Sequence, residues 1–265
     1  MKNAIESQLD AQHPWCGQIH WFDTLPSTND LAKELAKKGA PHGTVLIAGH
    51  QSGGRGRMGR SFHSPEGMGL YLSVILRPNC APDGLMHLTC AAAEAACDGV
   101  EKACGIRPGI KWINDLVIGK RKLGGILTEL VLSPKGTLDS AVIGIGINCC
   151  QRAEDFPEDI RSIACSLAMA MENQPDRAKL AAAMIGSLHH MADQLFTGKE
   201  QMLDRYRQDC MTVGQDILVL RGDQRCYAKA IDIDDSGALV ICLSDGTHET
   251  VNSGEVSIRG MYGYV

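Results

Sequence analysis

Between Gln51 and Arg60 the chain reads QSGGRGRMGR, and no regular element can run through it, because four glycines in ten residues support neither a helix nor a strand. Any fold this chain takes must hold an irregular loop here. The loop follows the apolar run 44–49 (TVLIAG), which reads as a buried strand, and precedes Phe62 and SPEGMGLYLS. A structured loop at a sheet edge is a usual place for a binding site. Arg55, Arg57 and Arg60 fall within six residues and repel one another unless an anion sits between them. Guanidinium forks suit phosphate and carboxylate oxygens. A flexible arginine-glycine surface loop, or a segment that contacts RNA, is the alternative. The GxxxxGK[ST] pattern of a P-loop is absent.

The charge distribution favours a localised anion site. The net charge is −5, yet residues 51–63 contribute +3 and residues 107–122 contribute +4, which leaves −12 for the rest of the chain. A diffuse basic surface for nucleic acid does not fit that pattern. With 265 residues, 44% of them hydrophobic, the chain can bury one large core and a small second one. No apolar run approaches the ~20 residues that span a bilayer. The N-terminus lacks the apolar core of a signal peptide, so a soluble cytoplasmic protein is expected. Eleven cysteines without a CxxC pair read as reduced, small apolar residues rather than a disulfide framework or a zinc ribbon.

The pattern predicts strands at 18–22, 44–49, 69–77, 110–118, 121–132 and 140–147. Ser27 or Thr28 caps a helix that Gly39 ends, and 84–104 is a long alanine-rich helix packed in the core. Helices are expected at 160–171, 176–195 and 199–210. From Gly214 five short strand-like segments, 216–221, 225–233, 238–243, 247–251 and 255–259, alternate with turn sequences, the mark of a small all-β barrel. The domains are therefore placed at 1–211 and 212–265. An edge strand at 140–147 would pair between subunits of a homodimer.

In KWINDLVIGKRKLGGILTEL, strand alternation sets Lys122 and Gly124 on one face, with Leu123 and Leu127 turned to the core. A lysine beside a residue without a side chain leaves room for a ligand. Lys111 and Asp115 share parity on the preceding strand, where a cation and a carboxylate would position an anion and its magnesium. A solvent-facing strand with ordinary charges is the plainer reading. Gly144, Gly146 and Asn148 share one face, and Ile143, Ile145 and Ile147 the other. The glycines would either admit a flat ring, with the Asn148 amide offering the donor and acceptor that adenine needs, or serve close packing.

Taken in order, PSTND, the Q-x-x-GRGRxGR loop, SPxGxxLYLS, KWxNDxxxxxRKxxGIL and GIGIN resemble the biotin–protein ligase family over roughly residues 18–260. The resemblance implies an α+β fold: a mixed sheet flanked by helices, like the catalytic domain of class II aminoacyl-tRNA synthetases, with a C-terminal SH3-like barrel. It implies ATP-dependent activation of biotin to biotinoyl-5′-AMP, with Mg2+, and transfer to a lysine of a biotin carboxyl carrier protein. Carried over by motif, Ser27, Thr28, Asn29, Gln51, Arg55, Gly56, Arg57 and Lys122 would bind biotin. Lys122, Arg55 and Arg57 would be the catalytic cations. Gly54, Arg57, Arg60, Phe62, Lys111 and Asn114 would meet ATP, together with Asp115, Asn148 and Arg259. Asp115 would touch the magnesium or help deprotonate the acceptor amine.

Three positions depart from the family pattern. Ile113 stands where proline is frequent, Met58 where some relatives carry another arginine, and Phe62 where tryptophan is common. None removes a group the chemistry requires. Fewer than 30 residues precede PSTN, which predicts a monofunctional enzyme that does not bind operator DNA. A lipoate or octanoate transferase of the same fold, and a nucleic-acid-binding module using the arginine-glycine loop, are the alternatives.

Overall fold

The structure, a computed structural model, describes residues 1–171, 173–222 and 224–252, and the backbone of 257–260. A short helix α1 (Lys2–Glu6) precedes β1 (Ile19–Leu25), α2 (Thr28–Lys37), β2 (Thr44–Gln51), β3 (Gly69–Leu76) and α3 (Leu88–Cys104). Then come β4 (Gly109–Lys111), β5 (Asp115–Ile118), β6 (Arg121–Leu132) and β7 (Leu138–Asn148). Helices α4 (Leu167–Ala170), α5 (Arg177–Gln194) and α6 (Lys199–Asp209) lead to β8 (Asp216–Arg221), β9 (Gln224–Ile233), β10 (Leu239–Leu243), β11 (His248–Val251) and β12 (Ser257–Gly260).

Strands β1 to β7 form one sheet in the order β1-β2-β3-β7-β6-β5-β4. Only β1 and β2 are parallel, since α2 carries the chain back between them. Alternation divides the sheet residues between two cores. Val45, Ile47, Leu72, Val74, Ile143, Ile145 and Ile147 pack with α3, α5 and α6, whereas Leu46, Ile75, Val131 and Val142 pack under Ala32 and Ala36 of α2. The three isoleucines of β7 are thus core, as their spacing predicts. Helix α3 is built from small residues because it lies close against α5: a Cβ on Gly99 would come 3.0 Å from Met184 Cα. The C-terminal strands form a separate antiparallel sheet, β11-β10-β9-β8-β12, the small all-β module expected from the turn spacing and the SH3-like one that the resemblance implies.

Four expectations are corrected. Residues 140–147 do not form an edge, because β7 lies between β3 and β6; the sheet ends at β1 and β4. The predicted strand 110–118 is two strands folded back on each other, with Lys111 paired directly to Asp115. The long helix begins at Leu88, after a separate 3-10 turn over Pro82–Leu85. Of the predicted helix 160–171 only Leu167–Ala170 is helical. Residues 163–165 instead pair with the start of β6, where Lys122 N–H donates to Ile163 O at 2.7 Å and Cys165 N–H to Lys122 O at 2.8 Å. Satisfying those strand groups outweighs the local helical preference. Cys90, Cys97, Cys149, Cys165 and Cys210 are buried free thiols, and burial pushes each of their pKa values up. Among the described residues no helix is long and apolar enough to cross a membrane.

Candidate active site

A cleft of about 1090 Å³, its open mouth included, lies over β7 between the start of α2, the loop after β2 and the strands β4 to β6. Its floor is open because Gly144 and Gly146 have no side chains. The space goes first to the protein itself. A Cβ on Gly144 would lie 2.0 Å from Asn29 Oδ1, and one on Gly146 would lie 2.6 Å from the Phe62 ring. The close-packing reading of these glycines therefore holds, with Phe62 as the flat ring resting on Gly146.

One end of the cleft is polar and fixed. Ser27 caps α2, its Oγ accepting from Asp30 N–H at 3.3 Å. Gln51, at the last position of β2, accepts at Oε1 from Thr28 N–H at 2.8 Å and from Thr28 Oγ1 at 3.1 Å, and donates from Nε2 to Ser64 Oγ at 3.2 Å. Ser73 Oγ lies 2.7 Å from Thr28 Oγ1 and 2.6 Å from Asn29 Oδ1. Asn29 Nδ2 donates to Leu127 O at 3.1 Å and to Glu129 Oε2 at 2.9 Å. Leaving one such buried group unsatisfied would cost about 1–3 kcal/mol, so this end is set before any ligand arrives.

The loop is folded back on itself. Gly56 N–H donates to Arg60 O at 2.7 Å and Phe62 N–H to Gly54 O at 2.9 Å, closing a small hairpin. Its tip is a 3-10 turn over Arg57–Gly59, where Met58 takes a left-handed φ of 56° and is exposed. Gly54 is required by this closure, since a Cβ there would sit 2.6 Å from Phe62 O and from Ser64 Oγ.

The other end is cationic. Arg55, Arg57, Arg60, Lys111 and Lys122 line the cleft, and among the described residues Asp115 is the carboxylate in that lining. Lys122 Nζ donates to Asp115 Oδ1 at 2.5 Å. Arg57 Nη1 donates to Asn114 Oδ1 at 3.1 Å, and Asn114 Nδ2 to Ile126 O at 2.8 Å, so the turn after β4 carries the arginine. Burial lowers the Arg57 pKa from the usual arginine value; Asp115 opposes that shift and Arg60 adds to it. An arginine keeps its charge even so. Desolvated positive charge beside further positive charge favours an anionic ligand.

Of the residues singled out in the sequence, Ser27, Thr28, Asn29, Gln51, Arg55, Gly56, Arg57, Arg60, Phe62, Lys111, Asn114, Asp115 and Lys122 all line this cleft. Five placements differ from expectation. Arg55 faces carboxylates of the protein itself: its Nη2 is hydrogen-bonded to Asp30 Oδ1 and lies 3.5 Å from both Glu129 oxygens. Gly125, not Gly124, faces Lys122, and a Cβ there would be 3.5 Å from Lys122 Nζ. The register between β5 and β6 shifts at Leu116/Val117, a bulge that reverses the alternation, and Leu127 turns to the cleft for the same reason. Asn148 is buried outside the lining, its Nδ2 donating to Cys165 O at 3.0 Å and its Oδ1 accepting from Gln151 Nε2 at 3.3 Å. Gly54 also lies behind the lining. The Arg259 side chain falls outside the described residues, although its backbone pairs with Leu218.

Sequence reasoning missed Trp112, which lines the cleft and braces it. Its backbone N–H donates to Thr212 Oγ1 at 2.9 Å and its indole N–H to Gly237 O at 3.0 Å, in the C-terminal module. Tyr206 OH donates to Ile113 O at 3.1 Å from the other side. Only the adjacency of an aromatic to the lysine motif hinted at this, because both partners are about a hundred or more residues away.

Residues 21–148 match the biotin/lipoate A/B protein ligase family, and residues 212–259 match the biotin protein ligase C terminal domain. The chain is 37% identical over 243 residues to the bifunctional ligase/repressor BirA of Bacillus subtilis, covering 91% of this chain and 73% of that protein. It is 35% identical over 258 residues to the biotin--[acetyl-CoA-carboxylase] ligase of Mycobacterium tuberculosis, covering 95% of this chain and 92% of that one. The biotin protein ligase from Aquifex aeolicus in complex with biotin and ATP is similar with a TM-score of 0.78 and 28% identity, over 91% of this chain and 98% of that chain.

Proposed function

The chain belongs to the biotin/lipoate A/B protein ligase family, and we propose on that footing that its cleft is where biotin and ATP react. The enzyme is a ligase that activates biotin with ATP and joins it to a biotin carboxyl carrier protein. In this reading residues 1–211 are the catalytic domain and residues 212–265 the module that braces it through Trp112.

Biotin occupies the polar end, with Ser27, Thr28, Asn29, Gln51 and Gly56 around it. The ATP phosphates lie toward Lys111, Lys122, Arg57 and Arg60. One oxygen of the biotin carboxylate attacks the α-phosphorus; the bond to the β-phosphate oxygen breaks, and pyrophosphate leaves with its electron pair. Two anions must meet for this to happen. Lys122 and Arg57 neutralise the approach and the charge that grows on the phosphoryl oxygens, at places fixed by Asp115 and Asn114 before the reactants arrive. The acceptor lysine amine then attacks the acyl carbon, AMP leaves, and the amine's extra proton is released. The observation that carries this reading is the convergence of Arg57, Arg60, Lys111 and Lys122, with Asp115, directly beside a preformed polar pocket.

Among the described residues no group of three or more His, Cys, Asp or Glu side chains could cage a metal. Magnesium is commonly held by one or two carboxylates and substrate phosphates, and Asp115 fits as the carboxylate. Magnesium entering on the nucleotide would supply further neutralisation of the phosphates. Because Lys122 already takes Asp115 Oδ1, we assign Asp115 to orienting that lysine rather than to deprotonating the acceptor amine. DNA is not a proposed partner, since the chain carries −12 outside its two basic segments.

Incorporation of labelled biotin or labelled lipoate into a carrier domain, each with ATP, separates this reading from a lipoate or octanoate ligase. The polar end predicts incorporation of biotin and none of lipoate; preference for lipoate would overturn it.

A further inference from the structure

Glu129 stands on β6 where the loop, α2 and the sheet meet. Its Oε2 accepts from Asn29 Nδ2 at 2.9 Å, its Oε1 accepts from Lys33 Nζ at 2.7 Å, and both oxygens lie 3.5 Å from Arg55 Nη2. Arg55 Nη2 also reaches Asp30 Oδ1, which lies 3.2 Å from Lys33 Nζ. Two cations and two carboxylates thus cancel within one cluster. Arg55 is flanked by Gly54 and Gly56, so neighbouring side chains give this stretch no anchorage. The hairpin bonds then pass the position of Arg55 on to Arg57.

We infer that Glu129 is a positioning residue: one carboxylate docks the arginine-glycine loop through Arg55 and holds Asn29 in the biotin pocket, so that loop closure and pocket shape are set together. The inference rests on the cleft being the biotin site. It makes Arg55 an anchor of the loop and leaves the cation facing the phosphates to Arg57. Neither Glu129 nor its role carries a motif in the sequence, because its partners come from positions 29, 33 and 55.

Glu129→Gln separates this from a merely structural part. The amide keeps the shape and an acceptor for Asn29, but it removes the charge that Arg55 and Lys33 use. Two quantities are read: tryptic cleavage after Arg57 and Arg60 in the ligand-free protein, and KM for biotin against kcat in biotin-dependent pyrophosphate–ATP exchange. Loss of a charge-assisted contact predicts cleavage about tenfold faster and KM about tenfold higher, with kcat changed by less than about threefold. Arg55→Gln should reproduce both changes, and the double variant should be no worse than the worse single one, because both act through one contact. Wild-type cleavage and KM in Glu129→Gln, or effects that multiply in the double variant, would overturn the inference. If Glu129→Gln does not fold, Arg55→Gln carries the test, since that side chain is 41% exposed; wild-type cleavage in that variant refutes the docking. A wild-type protein that fails to exchange pyrophosphate with biotin refutes the assigned activity instead, and leaves the cleavage result to judge the loop.

Discussion

Lys122→Ala lowers biotin-dependent exchange of labelled pyrophosphate into ATP by about a hundredfold or more, the effect of losing one fixed charge contact worth ~3 kcal/mol at the transition state. Lys122 is held by both its backbone and its side chain. Its N–H and C=O pair with residues 163–165, and its ammonium rests on Asp115 at 2.5 Å beside the open space left by Gly125. The ammonium is therefore at its working position without any rearrangement. An attacking carboxylate and an α-phosphate that converge on it replace part of its contact with Asp115, and the gain is largest when negative charge is spread over the reacting centre. The side chain is 30% exposed, and the backbone pairing does not depend on it, so the alanine variant should keep its far-ultraviolet circular dichroism and thermal midpoint. A folded Lys122→Ala protein that exchanges pyrophosphate at the wild-type rate would remove this residue from the chemistry.

Arg57→Ala acts at a different step. Biotinoyl-5′-AMP is a mixed anhydride that water hydrolyses, so the enzyme must keep it enclosed until the acceptor lysine arrives. Arg57 extends from the loop tip into the cleft and is tied to Asn114, across the space proposed here for the adenylate. Removing it deletes a hydrogen bond to a charged group and one of the ties that keep the loop down. The expected result is release of free adenylate about ten to a hundredfold faster than from the wild type, with acceptor labelling that becomes dependent on diffusion. Trapping the released adenylate with hydroxylamine, in the absence of carrier protein, measures this directly. Retention as tight as in the wild type would mean that the loop does not close over the product.

Features set by short-range patterns were legible in the sequence. The alternation of Ile143, Ile145 and Ile147 against Gly144 and Gly146 gives the two faces of β7 correctly, and turn sequences mark the strands of the C-terminal module. The loop, the PSTN helix start and the lysine hairpin converge on one cleft. What escaped depends on partners distant in the chain or on a local break in periodicity. A single bulge in β6 exchanges Gly124 for Gly125 beside Lys122. The 160–171 segment has helical composition, yet its backbone is drawn to Lys122. Asn148 has the right amide for adenine but spends it on Cys165 and Gln151. Arg55 belongs by motif with the other two arginines, and by charge with Asp30 and Glu129. The Lys122 and Arg55 contacts join residues 25 or more positions apart, which no short window of sequence contains.

Electron density for the protein bound to biotin and an ATP analogue that cannot release pyrophosphate is the most direct measurement. The account predicts the biotin carboxylate and the α-phosphate side by side, both in contact with the Lys122 ammonium and beneath Arg57. Reactants bound in another part of the molecule, with neither anion touching these two side chains, would contradict it.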